Sequence, residues 1–341
     1  MKSLVRKFAL LAAPFVALIA IELFVLPVDF FTFRVWEAVT MQYVRPAEGI
    51  FYPGMHVVKD EHADKLGFRD PNPRKVEWFT DQYGFRNRPR ATEPARYDIV
   101  MVGDSNIVGS SHDQKDTIAE VLERKCKCAV YSYGGASKQQ FFNDPRFKKN
   151  PPRVIVAEAI GAEFYTPSFA ALNYDNLLDG PGAEQSMLPD PIAVLLDRLL
   201  KTNMLEFVRS RLQVQRYGAE KEAPTPPAQR VAFVVEMVTK MRDEAARRGS
   251  DFIFVLMPYD PTLDQAVIKL KELGVKTIAY LPNPERPQAA YLKSFYQDHD
   301  THWRAETVRT TADEILDLLG WPNARPENQT DARALSSSAQ Q

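Results

Sequence analysis

The stretch DIVMVGDSN, residues 98–106, is the segment on which the fold assignment depends. Its apolar run begins at Ile99, is rich in β-branched residues and ends at Gly103, which is typical of a buried strand followed by a tight turn. Ser105 then stands between that strand and a predicted helix, where backbone N–H groups can stabilise negative charge. Gly-Asp-Ser is also a common turn composition in which the Asp or Ser only caps the next helix. This stretch alone leaves both interpretations open.

A second motif, DTHW at residues 300–303, changes the balance between them. Asp300 lies two residues before His302, so its carboxylate can hold one imidazole tautomer and stabilise the imidazolium. A serine, a histidine and a carboxylate are the parts of a serine acyl-transfer site. Asp298 is a competing orienting carboxylate, and His299 is a competing base.

The chain between the two motifs alternates apolar strands with amphipathic helices. The pattern predicts strands at 98–103, 129–133, 153–157, 252–257 and 276–281, and helices at 114–125, 231–248, 263–273 and 304–319. Such alternation predicts a parallel sheet covered by helices on both faces. Residues 162–228 interrupt it, with a helical piece at 190–214, and predict an insertion over the carboxyl edge of the sheet, where ligands bind in open α/β folds.

The N-terminus carries a topological signal. An apolar segment, residues 8–28, follows Lys2, Arg6 and Lys7 and has Glu22 as its one charge. About 20 apolar residues cross a bilayer, and no good small-x-small cleavage site is present, so we expect an uncleaved anchor. Positive residues stay on the cytoplasmic side, so we expect an anchor in a bacterial inner membrane with residues from about 30 onward outside it, in the periplasm if the source is Gram-negative. Glu22 is interpreted as a carboxylate near the interface, with contact to a partner membrane protein as the alternative.

Composition limits the remaining choices. The 341 residues are 45% hydrophobic and carry 43 Lys and Arg against 44 Asp and Glu, which argues against nucleic-acid binding. Cys126 and Cys128 are too few for a metal site and are interpreted as two thiols or a strained surface disulfide. We divide the chain into an anchor (1–29), an exit segment with a small irregular β region (30–97), a catalytic domain (98–322) and a disordered tail (323–341).

These motifs resemble a known family. Ser105 in Gly-Asp-Ser, the Gly134-Gly135 turn after the second strand, and residues 300–303 together resemble the SGNH (GDSL-type) hydrolase superfamily. The anchor and the DTHW motif resemble its membrane-anchored exopolysaccharide O-acetylation proteins, of the alginate acetyltransferase type. The resemblance covers about residues 98–320. It implies a flavodoxin-like, three-layer α/β/α fold with a parallel sheet.

The resemblance also implies roles for individual residues. Ser105 would be the nucleophile, His302 the general base and then acid, and Asp300 the orienting carboxylate. The backbone N–H groups of Ser105 and of Gly135 (or Gly134) would form the oxyanion hole. No cofactor or metal would be required.

Two departures from the family pattern bear on function. The usual third oxyanion donor is an Asn in a Gly-x-Asn-Asp block after the third strand, whereas residues 157–163 read AEAIGAE. In the alginate proteins the Asp-His pair precedes the serine, whereas here it follows, as in most SGNH enzymes. The substrate is therefore not carried over, and the missing Asn shifts weight from hydrolysis toward acyl transfer.

The sequence thus predicts an anchored O-acyltransferase that acetylates a secreted polysaccharide through acetyl-Ser105. A multi-spanning membrane acyltransferase partner would supply the acetyl group. The alternatives are a carbohydrate acetylesterase, which uses the same triad, and a non-catalytic, SGNH-shaped scaffold that binds glycan. The aromatic residues Tyr133, Phe164 and Tyr165 are interpreted either as lining a glycan groove or as core.

Overall fold

The computed structural model describes residues 2–30, 32–44, 48–164, 174, 177–178, 190–202, 224–257, 261–279 and 296–321. Two sheets are present in these residues. An antiparallel hairpin is formed by β1 (His56–Glu61) and β2 (Arg74–Phe79). The second sheet has five parallel strands: β3 (Ile99–Gly103), β4 (Val130–Gly134), β5 (Val154–Ala159), β6 (Asp251–Leu256) and β7 (Lys276–Ala279).

The strand order of the large sheet is β4-β3-β5-β6-β7. This is the flavodoxin-like order, in which the direction of winding reverses between β3 and β5. In register, Val102 of β3 stands beside Tyr133 of β4 on one side and Ala157 of β5 on the other. The carboxyl ends of β3 and β5 therefore meet at the point where open α/β folds bind their ligands.

The helices within the described residues are α1 (Lys2–Phe24), α2 (Val35–Val39), α3 (Ser105–Val108), α4 (Ile118–Cys126), α5 (Lys138–Asn143), α6 (Pro145–Lys149), α7 (Asp190–Lys201), α8 (Pro227–Arg247), α9 (Asp264–Glu272) and α10 (Ala305–Leu319). The predicted helix at 114–125 begins later, at Ile118, because residues 114–116 form a separate 3-10 turn. The predicted helix at 231–248 begins earlier, at Pro227, where proline's fixed φ suits the first turn.

The parallel sheet is covered on both faces, which confirms the predicted three-layer α/β/α class. Alternate strand residues point to opposite faces. Val100 and Ile155 pack into the cluster that contains α8 and α9, whereas Met101 and Val156 pack into the cluster that contains α4 and α10.

The segment before the sheet is packed onto it through a third cluster. Buried Val35 and Phe51 lie there with Trp78 of β2, and the cluster also includes Val108 of α3. Arg86 reinforces this contact, since it is 2% exposed and donates to the carbonyls of residues 109 and 112. The hairpin region is therefore built against the turn that carries Ser105.

Within α1, the 19 residues Arg6–Phe24 are long and apolar enough to cross a bilayer, a property that a signal sequence shares. Glu22 is 7% exposed and lines a small cavity with Tyr52 and Arg198 of the same chain. Cys126 and Cys128 form a disulfide, the second of the two predicted alternatives. Most of the predicted insertion and the whole predicted tail lie outside the described residues.

Candidate active site

The structure brings Ser105, His302 and Asp300 together at the carboxyl edge of the sheet. The Ser105 Oγ is 3.1 Å from His302 Nε2, and His302 Nδ1 is 2.6 Å from Asp300 Oδ1. With the proton on Nδ1 donated to the carboxylate, Nε2 is an acceptor for the serine hydroxyl. His302 and Asp300 are buried, at 4% and 2% exposure. The arrangement has the connectivity of a serine–histidine–carboxylate triad.

Local sequence explains why Ser105 stands in this position. An added Cβ at Gly103 would lie 2.3 Å from Glu158 Oε2 and 2.4 Å from Ile107 Cγ1, so only glycine fits at the end of β3. Asp104 then caps α3, since its Oδ1 accepts from the N–H of Asn106 at 2.7 Å. The capping role that the sequence left open thus belongs to Asp104, and the Ser105 hydroxyl is left to contact His302.

Trp303 fixes the segment that carries His302. Its side chain is 1% exposed and belongs to the core, and its backbone N–H donates to Asn106 Oδ1 at 3.3 Å. Its carbonyl accepts from His112 Nε2 at 2.8 Å and from Gln297 Nε2 at 2.9 Å. The loop of the histidine is therefore bonded directly to the turn of the serine.

Two residues that the sequence analysis did not identify complete the surroundings of Asp300. Its Oδ2 accepts from Ser111 Oγ at 2.7 Å and from Arg74 Nη2 at 2.8 Å. Burial alone raises the pKa of Asp300, but the hydrogen bond and charge of His302, with the bonds from Ser111 and Arg74, outweigh burial and hold this pKa below its usual range. Asp300 is therefore an anion at neutral pH.

The competing candidates from the sequence lie elsewhere. Asp298 Oδ1 pairs with Arg304 Nη2 at 2.6 Å, and the Asp298 side chain is 83% exposed. His299 is exposed, has a positive φ of 58° and accepts a backbone bond from Lys65. The carboxylate that does approach the imidazole from outside the motif is Asp64, whose Oδ2 is 3.4 Å from His302 Nδ1.

The predicted oxyanion donors divide into two groups. The N–H of Ser105, at the first position of α3, donates to no acceptor among the described residues. The N–H of Gly135 donates to the carbonyl of Gly103 at 2.8 Å, so an oxyanion would have to share or replace this bond, and Gly135 stays a predicted donor. Gly135 has a φ of 83°, a value that bends the chain back toward β3. Gly134 stays a predicted donor.

Glu158 occupies the end of β5, within the segment that lacks the family's Asn. It is fully buried, and its Oε2 accepts from the N–H of Asp104 at 3.0 Å. Its Oε1 has no hydrogen-bond partner in the described part of the chain. Burial, followed by the nearby charge of Asp104, raises the pKa of Glu158 well above its usual range, while Lys138 lowers it. Burial therefore favours the neutral form of this carboxyl group beneath the serine turn.

Two groups of side chains in the described part of the chain have the spacing of cation ligands. Asp64, Asp300 and His302 form one, and Asp104, Glu158 and Glu163 form the other. Each already faces a protein cation: Arg74 bonds to Asp300, and Lys138 Nζ is 2.7 Å from Glu163 Oε2. The geometry therefore favours internal ion pairs over metal ligation.

A cleft of about 690 Å³ opens beside the triad, on the side of Asp300. Its lining includes Arg74, Ser111 and Gln297, together with charged side chains of both signs. Tyr133 and Phe164 are 0% and 2% exposed and belong to the core, which was the alternative to a glycan groove. Tyr165 lies outside the described residues.

No family model matches this chain, and no curated protein matches it. Among solved structures, it is similar to a G-D-S-L family protein from Desulfitobacterium hafniense, with 12% identity, a TM-score of 0.35, and coverage of 64% of this chain and 98% of that one. A family two carbohydrate esterase from Clostridium thermocellum, in complex with cellohexaose, is 11% identical, with a TM-score of 0.36 and coverage of 74% and 73%. A family two carbohydrate esterase from Cellvibrio japonicus is 10% identical, with a TM-score of 0.34 and coverage of 75% of each chain.

Proposed function

We propose that this protein is a membrane-anchored serine acyltransferase that O-acetylates a secreted polysaccharide through an acetyl-Ser105 intermediate. The observation that carries the proposal is the unbroken contact from Ser105 Oγ through His302 to Asp300, with distances of 3.1 and 2.6 Å. Nucleophile, base and orienting carboxylate stand in the order that acyl transfer needs.

The proposed reaction has two half-steps. Ser105 Oγ attacks the acyl carbonyl carbon while its proton passes to His302 Nε2, and Asp300 stabilises the imidazolium. The tetrahedral intermediate collapses, the bond to the leaving oxygen breaks, and that oxygen takes the proton from His302. An acceptor hydroxyl then attacks the acetyl-serine, gives its proton to His302, and Ser105 recovers that proton as the ester to the acceptor forms.

The identity of the acceptor separates a transferase from an esterase, because water in the second half-step gives acetate. The missing Asn after the third strand of the parallel sheet supports transfer over plain hydrolysis. The apolar helix α1, with cations at its start, supports a catalytic domain held outside the cytoplasmic membrane. An acetyl group made in the cytoplasm would then reach Ser105 through a multi-spanning membrane acyltransferase.

Ester cleavage tests the chemistry. The full-length chain in detergent is given p-nitrophenyl acetate, beside Ser105→Ala and the matched variant Ser110→Ala. Ser110 is 1% exposed, and its hydroxyl has no hydrogen-bond partner among the described residues, so it controls for loss of a buried hydroxyl. We expect release of p-nitrophenol that Ser105→Ala abolishes and Ser110→Ala retains. Equal release by all three proteins would contradict the proposal.

The acceptor is tested in the same assay. Added oligosaccharides should divert acetyl from acetate to acetylated sugar if the enzyme is a transferase. Acetate release that oligosaccharides leave unchanged would instead assign an esterase.

A further inference from the structure

Helix α7 buries its polar face and exposes its apolar face, which is the reverse of an ordinary surface helix. Its buried positions are Ala193, Asp197 and Lys201, at 0%, 0% and 3% exposure. Its exposed positions are apolar, with 45–53% exposure at Ile192, Leu195, Leu199 and Leu200. A helix that packs on a soluble core normally presents these two faces the other way round.

The buried polar side chains of α7 form hydrogen bonds inside the protein. The Asp197 carboxylate accepts from the N–H groups of Gln42 at 3.1 Å and Val44 at 2.8 Å, and from the Tyr52 hydroxyl at 2.7 Å. Lys201 Nζ donates to the carbonyl of Thr40 at 2.8 Å. Rotating the helix to bury its leucines would break these bonds and leave buried polar groups unsatisfied. The outward direction of the apolar face is therefore fixed.

The place of α7 in the fold indicates what covers that face. The helix contacts α1, and Arg198 Nη2 lies 3.4 Å from the carbonyl of Leu23, near the end of α1. Most of the apolar surface of α1 is exposed, and the residues that follow it add Val25 and Phe30, at 71% and 56% exposure. The leucine face of α7 thus stands next to the point at which the chain leaves the apolar helix.

We propose that α7 is an interfacial helix that inserts its Ile192, Leu195, Leu199 and Leu200 side chains into the phospholipid bilayer. The inference rests on the proposed anchoring of α1. Proximity to the end of α1 identifies lipid as the occupant, because a bilayer that takes up α1 meets α7 at its surface. With α1 and α7 both in the membrane, the catalytic domain is held in one orientation and does not swing on a tether.

Lipid quenching tests this contact in the full-length chain reconstituted in nanodiscs of phosphatidylethanolamine and phosphatidylglycerol. Single cysteines replace Leu195 or Leu199, are labelled with a polarity-sensitive fluorophore, and are exposed to doxyl-labelled lipids. The native cysteines form a disulfide and do not react. The matched control is Ile268→Cys on α9, because Ile268 is 47% exposed and Leu195 is 48% exposed. Phe15→Cys in α1 reports insertion of the anchor.

The proposal expects strong quenching at Phe15, clear quenching at Leu195 and Leu199, and little at Ile268. Quenching at Leu195 and Leu199 no greater than at Ile268, with Phe15 quenched, would overturn the interfacial role and assign this face to solvent or a protein partner. Absence of quenching at Phe15 would overturn both the anchoring and the interfacial role. Activity is measured separately: Leu195→Glu/Leu199→Glu should lose the bilayer contact and keep Ser105-dependent ester cleavage in detergent.

Discussion

Arg74 Nη2 donates to Asp300 Oδ2 at 2.8 Å, so a residue of the N-terminal hairpin contacts the carboxylate of the triad. The two residues are 226 positions apart in the chain. The Asp300 side chain is fully buried and that of Arg74 is 33% exposed at the cleft. The hairpin is thereby part of the candidate active site.

Replacing Arg74 by Met should weaken catalysis. A hydrogen bond to a charged group contributes about 1.5–3 kcal/mol, so we expect kcat/KM for ester cleavage to fall about 10- to 100-fold. The control is Lys75→Met, the next residue of β2, which is exposed. Equal effects of the two substitutions would mean that the bond from Arg74 does not support the triad.

Replacing Glu158 by Gln should change the pH dependence of stability. Since the folded-state pKa of Glu158 is raised, the folded protein holds a proton that the unfolded chain loses above its ordinary pKa near 4.3. The free energy of unfolding therefore falls as pH rises from the unfolded-state pKa toward the raised folded-state pKa. Glu158→Gln should remove this fall. Urea unfolding at a series of pH values measures it. Parallel curves for the two proteins would show that Glu158 is not protonated in the fold.

Glu163→Gln is the contrasting variant. Glu163 Oε2 lies 2.7 Å from Lys138 Nζ, and both side chains are buried. Removing one partner of a buried ion pair leaves the other uncompensated, which costs about 3–5 kcal/mol. We expect lower stability at neutral pH. A stability equal to that of the parent protein would contradict this ion pair.

His112 should make the protein acid-sensitive. Burial lowers the pKa of His112 to about 4, although its bond to the Trp303 carbonyl raises it. The unfolded chain takes up this proton at its ordinary pKa near 6.5, so stability is present above that pH and falls as pH drops toward 4. The loss is about 3 kcal/mol, at roughly 1.4 kcal/mol per pH unit. His112→Gln should flatten the curve in this window. An unchanged slope, compared with exposed His56→Gln as control, would exclude His112 as the cause.

The strand, turn and helix around Ser105 could be predicted because their signals are local. An apolar run that ends in glycine indicates a buried strand, and Asp300 and His302 are near enough in sequence to be recognised as a pair. Glu158 was not predicted as a buried group, because it follows the predicted strand at 153–157 and belongs to β5 only in the structure. The contact of Arg74 with Asp300 could not be predicted either, because nothing in the sequence of β2 indicates which distant side chain the guanidinium contacts.

Helix α7 shows where pattern reasoning fails. A leucine stripe at helical spacing predicts a face packed on the core. In the structure, Asp197 and Lys201 take the inward positions because they satisfy backbone groups of residues 37–44, and the leucines face outward. The competition between these two faces is decided by tertiary hydrogen bonds, which the helix sequence does not reveal. The partner of the Gly135 N–H was likewise not predictable from the local sequence, because the acceptor is the carbonyl of Gly103 in the neighbouring strand.

The most direct test of the central claim is mass spectrometry of the full-length protein quenched in acid during turnover of an activated acetate ester. We predict one acetyl group on the peptide that contains Ser105. The acetyl group should be absent from Ser105→Ala and unchanged in Ser110→Ala. The acetyl-enzyme of His302→Ala should be longer-lived than that of the parent protein, because deacylation also needs the base. A parent protein that turns over the ester while Ser105 stays unmodified, or an acetyl group on another residue, would contradict the account.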